Sequence, residues 1–121
     1  PGPIGPGGSY TFDVVGYPGD RLSFATMYVQ SNDLFYGFQP NGVDLYDADG
    51  NPVTGDITNH VSLWDAGTEM NQYPGAGPDQ APRQMGMNVG ASDPDNTVRP
   101  VNDAYTYPPV NSVMRMTVDT E

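Results

Sequence analysis

Apolar and polar positions alternate most regularly near the start of the chain, in SYTFDVV at residues 9–15. Tyr10, Phe12 and Val14 fall on one side of an extended backbone, and polar residues fall on the other. A period of two is typical of a half-buried strand. The Pro-Gly pair in YPGD, residues 17–20, predicts a turn directly after it.

The next stretches alternate less cleanly. RLSFATMYV, residues 21–29, becomes apolar on both faces towards its end, which predicts a central strand. Residues 30–42 are interpreted as a loop with apolar pieces, and VDLYD, residues 43–47, as a short strand. Asp and Gly in DADGN, residues 47–51, then indicate a hairpin turn.

Two further segments complete the set of predicted elements. ITNHVSLW, residues 57–64, is expected to form a strand in its latter part or a short helical turn leading into one. NSVMRMTVD, residues 111–119, places Met114, Met116 and Val118 on one face and predicts a closing strand.

The region between these segments, residues 69–102, is mostly loop by its Pro and Gly content. Irregular stretches of this length are uncommon in a small domain and are usually functional or held by something other than backbone ladders. A bound ion is one candidate for that role.

Five or more short strands separated by turn signals predict an all-β fold, specifically an antiparallel β-sandwich with long irregular loops. The length of 121 residues suits one domain. We assign residues 1–8 to an N-terminal linker or loop and residues 9–121 to the sandwich domain.

The charge balance narrows the possible partners. The chain contains fifteen acidic residues, four arginines and no lysine, which gives a formal net charge of −11. Such a chain repels phosphate backbones, so nucleic acid is not expected as a partner. The acids favour solubility or cation binding, and most are Asp, a common ligand of hard cations. Cysteine is absent from the sequence, and no apolar run is long enough for a membrane-spanning helix.

Catalytic chemistry finds little support. His60 is the only histidine, cysteine is absent, and no G-x-S-x-G motif occurs. A nucleophilic triad and a zinc site with nitrogen or sulfur ligands are therefore disfavoured. We expect no enzyme activity, and we interpret His60 as an ordinary hydrogen-bonded or exposed residue.

Two other metal patterns are weaker alternatives. Met85 and Met87 in QMGMN lie in a predicted loop and raise the possibility of a copper-handling protein, because thioether sulfur is a soft ligand. Asp47, Asp49 and Asn51 have the spacing of calcium-loop oxygens, but no glutamate closes a twelve-residue loop. A tight turn explains these three residues more simply than a second ion site does.

SLWDAGTE, residues 62–69, has the strongest candidate chemistry. Asp65 and Glu69 are four residues apart on either side of Gly67, whose permissive backbone allows both acids to point inward. Converging acids require a cation, and a hard ion such as Ca²⁺ takes six to eight oxygen ligands. Asp33 in SNDLF is the nearest further donor expected.

LSFATMYVQSNDLFYG followed by SLWDAGTE resembles the spondin N-terminal domain of the F-spondin type. The matching stretch covers residues 22–69, with a looser fit at residues 112–118. The resemblance implies a C2-like β-sandwich from an extracellular adhesive protein that binds one calcium ion. In that family the ion is bound by the positions that Asp33, Asp65 and Glu69 occupy here.

The sequence departs from the animal members in three ways. Glu69 stands where they carry Asp, the cysteines of their segment equivalent to residues 42–56 are missing, and their first strands are absent or replaced by residues 1–15. The chain is therefore similar to a bacterial spondin-type domain, and the ligands of the animal proteins do not carry over.

We expect a secreted or cell-surface, non-catalytic module with a structural Ca²⁺, extracellular or periplasmic, for adhesion or recognition. Its partner is an unidentified extracellular protein or glycan. A membrane-docking C2-like module is an alternative that the negative charge disfavours. Five aromatic residues are candidates for a binding face or for covering the core edges: Tyr36, Phe38, Tyr73, Tyr105 and Tyr107.

Overall fold

The computed structural model describes residues 2–121, and Pro1 of the predicted linker lies outside the described residues. The fold is all-β with antiparallel pairing and long irregular connections, as the sequence predicts. The strands of the described chain are β1 Arg21–Leu22, β2 Ala25–Met27, β3 Leu34–Gly37, β4 Val43–Asp44, β5 Gly55–Asp56, β6 Ser62–Asp65, β7 Arg99–Pro100 and β8 Thr117–Val118. A 3₁₀ turn, Thr58–His60, and one helical turn, α1 Val110–Val113, accompany them.

Within residues 2–121 the strands form three antiparallel sheets: β1 with β4, β5 with β8, and a larger sheet in the order β2-β3-β6-β7. The longest register joins β3 to β6, with Leu34 opposite Asp65 and Tyr36 opposite Leu63. This pairing places the start of β3 beside the end of β6. Asp33 directly precedes β3 and Asp65 ends β6, so two candidate metal ligands lie at these ends.

The prediction of a loop over residues 30–42 is wrong, because β3 lies in the interior of the larger sheet. Leu34 and Tyr36 are buried, and β3 pairs with strands on both sides. The sequence pattern was misleading because the strand is only four residues long and ends at a glycine, Gly37. Glycine is needed at that position because β2 lies close to it. A side chain at Gly37 would press on the Phe24 carbonyl.

The predicted central strand at residues 21–29 is divided into β1 and β2, which belong to different sheets. The chain changes sheets between Leu22, which pairs with Val43, and Ala25, which pairs with Gly37. All three residues of β2 are exposed, and β2 lies at the edge of its sheet. Apolar character on both faces therefore reflects the change of sheet and not a central position.

The predicted strand at residues 9–15 is also wrong. These residues have no assigned strand pairing, and every side chain among them is exposed. Their alternating pattern suits a strand, but a strand needs a partner, and no strand of the described chain lies against this segment.

Other predictions are confirmed in whole or in part. Of the strand predicted at residues 43–47, residues 43–44 form β4, and Asp47 begins a tight turn in which Gly50 N donates to the Asp47 carbonyl at 3.0 Å. The segment 57–64 contains the 3₁₀ turn followed by most of β6. In the final segment only residues 117–118 form a strand, because the chain after Pro109 first makes the helical turn α1.

The core lies between the larger sheet and the C-terminal segment. Tyr36, Phe38, Ile57 and Val61 form its buried cluster. Partly buried apolar side chains pack around it, and they include Met114, Met116 and Val118. The predicted common face of these three residues is confirmed, although the strand that contains them is shorter than expected.

Polar side chains organise the long loop. Gln80 is fully buried; its Nε2 donates to the Tyr73 carbonyl at 2.9 Å, and its Oε1 accepts from Arg83 at 2.6 Å. Gln72 and Asp79 exchange two hydrogen bonds, at 2.6 and 3.0 Å. This part of the loop is therefore held by hydrogen bonds from its own side chains, to backbone and to one another.

Candidate metal site

The turn after β6 begins at Asp65, which is 1% exposed because β6 is flanked by β3 and β7. Asp65 Oδ1 accepts from Gly67 N at 2.8 Å. Gly67 has φ of 72°, and a β-carbon there would collide with the backbone of Thr97. The left-handed glycine expected from the sequence is therefore present, and it is needed both for its torsion angle and for its close approach to the long loop.

Asp33 lies in the connection from β2 to β3 and reaches the same turn. Its Oδ2 accepts three hydrogen bonds: from Thr68 N at 2.7 Å, from Thr68 Oγ1 at 2.9 Å and from Glu69 N at 3.0 Å. Its Oδ1 is buried and has no hydrogen-bond partner. One oxygen of Asp33 therefore fixes the turn, and the other has an unsatisfied acceptor.

Glu69 follows and is 3% exposed. Its Oε1 accepts from Gly90 N at 2.8 Å, and its backbone forms an antiparallel bridge with Ser92. A β-carbon at Gly90 would collide with this carboxylate. Glu69 therefore connects the turn to the far part of the long loop.

The second oxygen of Asp65 faces a different set of groups. Asp65 Oδ2 accepts from Asn71 Nδ2 at 2.8 Å and lies 3.4 Å from Nη2 of Arg99. Asn71 Nδ2 also donates to Asp103 Oδ2 at 3.0 Å. Two carboxylates thus share one amide donor, while Asn71 Oδ1 is buried without a partner.

Arg99 supplies positive charge to this region. Its Nη2 donates to Asp93 at 2.5 Å, and its Nη1 donates to the Asp95 carbonyl at 2.7 Å. The hydrogen bond from Arg99 lowers the pKa of Asp93. The pKa of Asp95 is also lowered, first by the hydrogen bond from Thr97. Arg99 therefore compensates several carboxylates that would otherwise repel one another.

The predicted ligands Asp33, Asp65 and Glu69 all reach this one turn, and their oxygen chemistry suits a hard cation. The buried, unpaired Oδ1 of Asp33 is the atom most in need of a positive partner. Within residues 2–121, however, no three His, Cys, Asp or Glu side chains are grouped so that they could hold a metal ion. Asp65 is engaged by Gly67, Asn71 and Arg99 instead.

Three residues of this region were missed from the sequence: Asn71, Arg99 and Asp103. No spacing rule connects them to WDAGTE, because the long loop returns them to the site. The sequence offered one indication, for Arg99 only: with four arginines among 15 acids, each arginine is expected to form ion pairs with several carboxylates.

The other candidate residues lie elsewhere. Asp47 Oδ1 accepts from the backbone of Asp49 and of Asn51, both at 2.9 Å, which is the expected turn. His60 is exposed at the end of the 3₁₀ turn. Met85 and Met87 are 98% and 87% exposed. Their thioether groups therefore extend into solvent.

The aromatic candidates separate into two groups. Tyr36 and Phe38 are 4% and 6% exposed and belong to the core, so they are not part of a binding face. Tyr73 is 68% exposed and meets Tyr105 edge-on, with ring centroids 5.9 Å apart. Tyr107 donates to Asp103 at 2.6 Å, next to the link that Asn71 Nδ2 makes between Asp103 and Asp65, called the Asn71 bridge below.

Comparison with protein-family models, with curated proteins and with solved structures gave no match. No helix in residues 2–121 has the length and apolar character needed to cross a membrane.

Proposed function

We propose that this chain is a non-catalytic, calcium-binding module of the spondin N-terminal type, with a C2-like β-sandwich, that acts in extracellular adhesion or recognition. In this proposal the ligands are Asp33, Asp65 and Glu69, whose carboxylates must draw together around the ion, since in residues 2–121 no three such side chains are already grouped for a metal. The observation that carries the proposal is the buried, unpaired Oδ1 of Asp33 in a turn that it shares with the two other acids.

Charge supports the same conclusion. Asp65 and Glu69 are almost fully buried, and the whole chain has a net charge of −11. Buried carboxylates are stable only when cations or hydrogen-bond donors compensate them. Arg99 and Asn71 compensate Asp65, whereas Glu69 receives a single backbone hydrogen bond. A divalent ion at this turn would compensate Glu69 and Asp33 together.

In this proposal the ion has a structural role. It links the β2–β3 connection to the turn after β6 and, through Glu69, to the long loop. Calcium modules outside the cell commonly bind with Kd of about 10⁻⁴ to 10⁻³ M. The rigid surface that results would present exposed side chains such as Tyr73 to a protein or glycan partner.

The test is thermal unfolding after dialysis against EDTA and then against metal-free buffer. Calcium at 100 times its Kd would stabilise the fold by about 2.7 kcal/mol, which corresponds to a rise in Tm of roughly 5–15 °C. Asp33→Asn and Glu69→Gln should each abolish the rise and the calcium-binding heat in calorimetry. Asp119→Asn removes an exposed acid distant in sequence from the turn and should keep both. An unchanged Tm of the dialysed wild-type chain on adding 10 mM calcium contradicts the proposal.

A further inference from the structure

The segment at residues 9–15, called the N-terminal segment below, has the composition of a strand but pairs with no other strand of the described chain. None of its backbone groups hydrogen-bonds to another backbone group in residues 2–121. Its apolar side chains face solvent, with Phe12 73%, Val14 62% and Val15 84% exposed. Exposed apolar side chains in a row are typical of an interaction site.

Two of its side chains are nevertheless placed as they are in a strand. Tyr10 and Phe12 lie with ring centroids 6.2 Å apart, so side chains two positions apart share a face. No residue of the segment has a positive φ angle. At Tyr10 and Phe12 the alternation in the sequence therefore corresponds to a shared face in space.

The base of the segment is fixed to the folded body. The Gly16 carbonyl accepts from the hydroxyl of Tyr46 at 3.1 Å. The turn that follows is closed twice, by Asp20 N on the Tyr17 carbonyl and by Tyr17 N on Asp20 Oδ2, both at 2.9 Å. The segment is thus presented from an anchored position.

Charge favours contact between copies at this place more than elsewhere. Residues 1–19 contain one charged side chain, Asp13, although the chain has 15 acids in total. Two copies with a net charge of −11 each repel over most of their surfaces. The N-terminal segment is the charge-poor part that two copies can bring together.

The segment is also self-complementary in one antiparallel register. With Phe12 opposite the partner's Phe12, Tyr10 lies opposite the partner's Val14 and Thr11 opposite the partner's Asp13. Tyr10, Phe12 and Val14 of both copies then share one face, and the two carboxylates are not directly opposed. In a register centred on Asp13, the two Asp13 carboxylates would lie directly opposite each other and repel. Shifting the Phe12-centred register by one residue would place apolar side chains opposite polar ones.

We propose that the N-terminal segment is a self-association strand, which pairs antiparallel with the same segment of a second copy around a two-fold axis at Phe12. Such an interface is isologous and closes at a dimer. One strand per copy buries less than the roughly 1,200 Å² typical of stable interfaces, and a two-stranded ribbon alone is marginal. The dimer is therefore weak, with Kd of about 10⁻⁵ to 10⁻³ M, and it strengthens with salt as repulsion is screened.

Single-cysteine crosslinking tests the register, because the chain has no cysteine of its own. Phe12→Cys places two thiols opposite each other across the axis. Val14→Cys is the matched control, exposed to a similar degree at 62% against 73%. In the proposed register its two copies are separated by four residue steps, about 13 Å along the ladder, beyond the ~7 Å Cα limit for a disulfide.

We expect Phe12→Cys to form disulfide dimers under mild oxidation at least tenfold faster than Val14→Cys. Sedimentation of the wild-type chain at about 1 mM should show a dimer fraction that grows between about 0.05 and 0.5 M NaCl. Phe12→Asp should remove that fraction without lowering Tm, because Phe12 is exposed. All samples contain EDTA, so the result does not depend on the calcium proposal.

Three outcomes overturn the inference. A wild-type chain that is monomeric at 1 mM in high salt has no self-association strand. Equal crosslinking of the two cysteine variants contradicts the register. A dimer that persists in Phe12→Asp associates through another surface.

Discussion

Tyr36 and Tyr107 show how one residue type acquires opposite roles from its surroundings. The hydroxyl of Tyr36 is buried without a hydrogen-bond partner, and burial raises its pKa to about 12, with Tyr28 contributing. The hydroxyl of Tyr107 donates to Asp103 at 2.6 Å; burial and this carboxylate raise its pKa. The first hydroxyl is a cost to the fold, and the second connects the C-terminal region to the Asn71 bridge.

Replacing each tyrosine by phenylalanine should separate these roles. Tyr36→Phe is expected to leave the free energy of unfolding unchanged or to raise it by about 1 kcal/mol, because an unsatisfied buried group is removed. Tyr107→Phe is expected to lower it by about 1.5–3 kcal/mol, because a hydrogen bond to a charged group is lost. Urea unfolding at pH 7 measures both. Equal losses in the two variants would contradict this assignment.

The same pair predicts the alkaline behaviour. Both phenols have a folded pKa above the unfolded value of about 10, so their titration does not change the free energy of unfolding below that pH and lowers it as pH rises from there through the folded pKa. For Tyr36 the loss falls between pH of about 10 and about 12. The Tyr36→Phe variant should therefore lose less stability over that interval than the wild-type chain.

At the scale of elements, the turn after β6 joins three parts of the molecule. Asp33 binds it from the β2–β3 connection, Glu69 connects it to Gly90, and Gly67 packs on the backbone of Thr97. Beside these contacts the turn has one isolated backbone bridge, between Glu69 and Ser92, and no longer ladder. The turn is therefore shaped largely by side chains and by a close approach that only glycine allows.

Alanine at Gly67 and at Gly50 should separate torsional strain from that close approach. Both glycines have positive φ, of 72° and 81°, but only Gly67 has atoms within collision distance of a new β-carbon. Gly50→Ala is expected to cost about 1 kcal/mol through its torsion angle. Gly67→Ala should cost about 1–3 kcal/mol more, because the backbone of Thr97 or of the turn must move. Equal costs in urea unfolding would show that the turn does not pack tightly on residue 97.

At the scale of the whole molecule, the four arginines compensate only part of the negative charge. Two of the four arginines, Arg21 and Arg115, form exposed ion pairs with Asp44 and Asp56, which stabilise little. Arg99 alone serves Asp65, Asp93 and Asp95. The remaining acids repel one another across a small body.

Stability should therefore rise with ionic strength. Raising NaCl from 10 mM to 300 mM shortens the screening length from about 30 Å to about 6 Å, and we expect Tm to increase by several degrees. EDTA is present at every NaCl concentration, so that any change in Tm reflects screening and not calcium binding. A Tm that falls with salt would mean that attractive pairs such as Arg99–Asp93 outweigh the general repulsion.

The features that the sequence predicted correctly depend on torsion angles and side-chain spacing within short stretches of chain. The Asp47 turn, the left-handed Gly67 and the inward face of Met114, Met116 and Val118 follow from torsion preferences and the period of two. These depend on residues within a few positions. The all-β class follows in the same way from the spacing of Gly and Pro.

Only the tertiary structure decided which extended segments obtain partners. Residues 34–37 have a weaker strand pattern than residues 9–15, yet they pair on both sides, whereas the N-terminal segment pairs with nothing in the described chain. The same holds for Arg99, Asn71 and Asp103, which the long loop returns to Asp65. A ladder or a charge network forms between residues distant in sequence, so its existence depends on where the rest of the chain lies and not on local pattern.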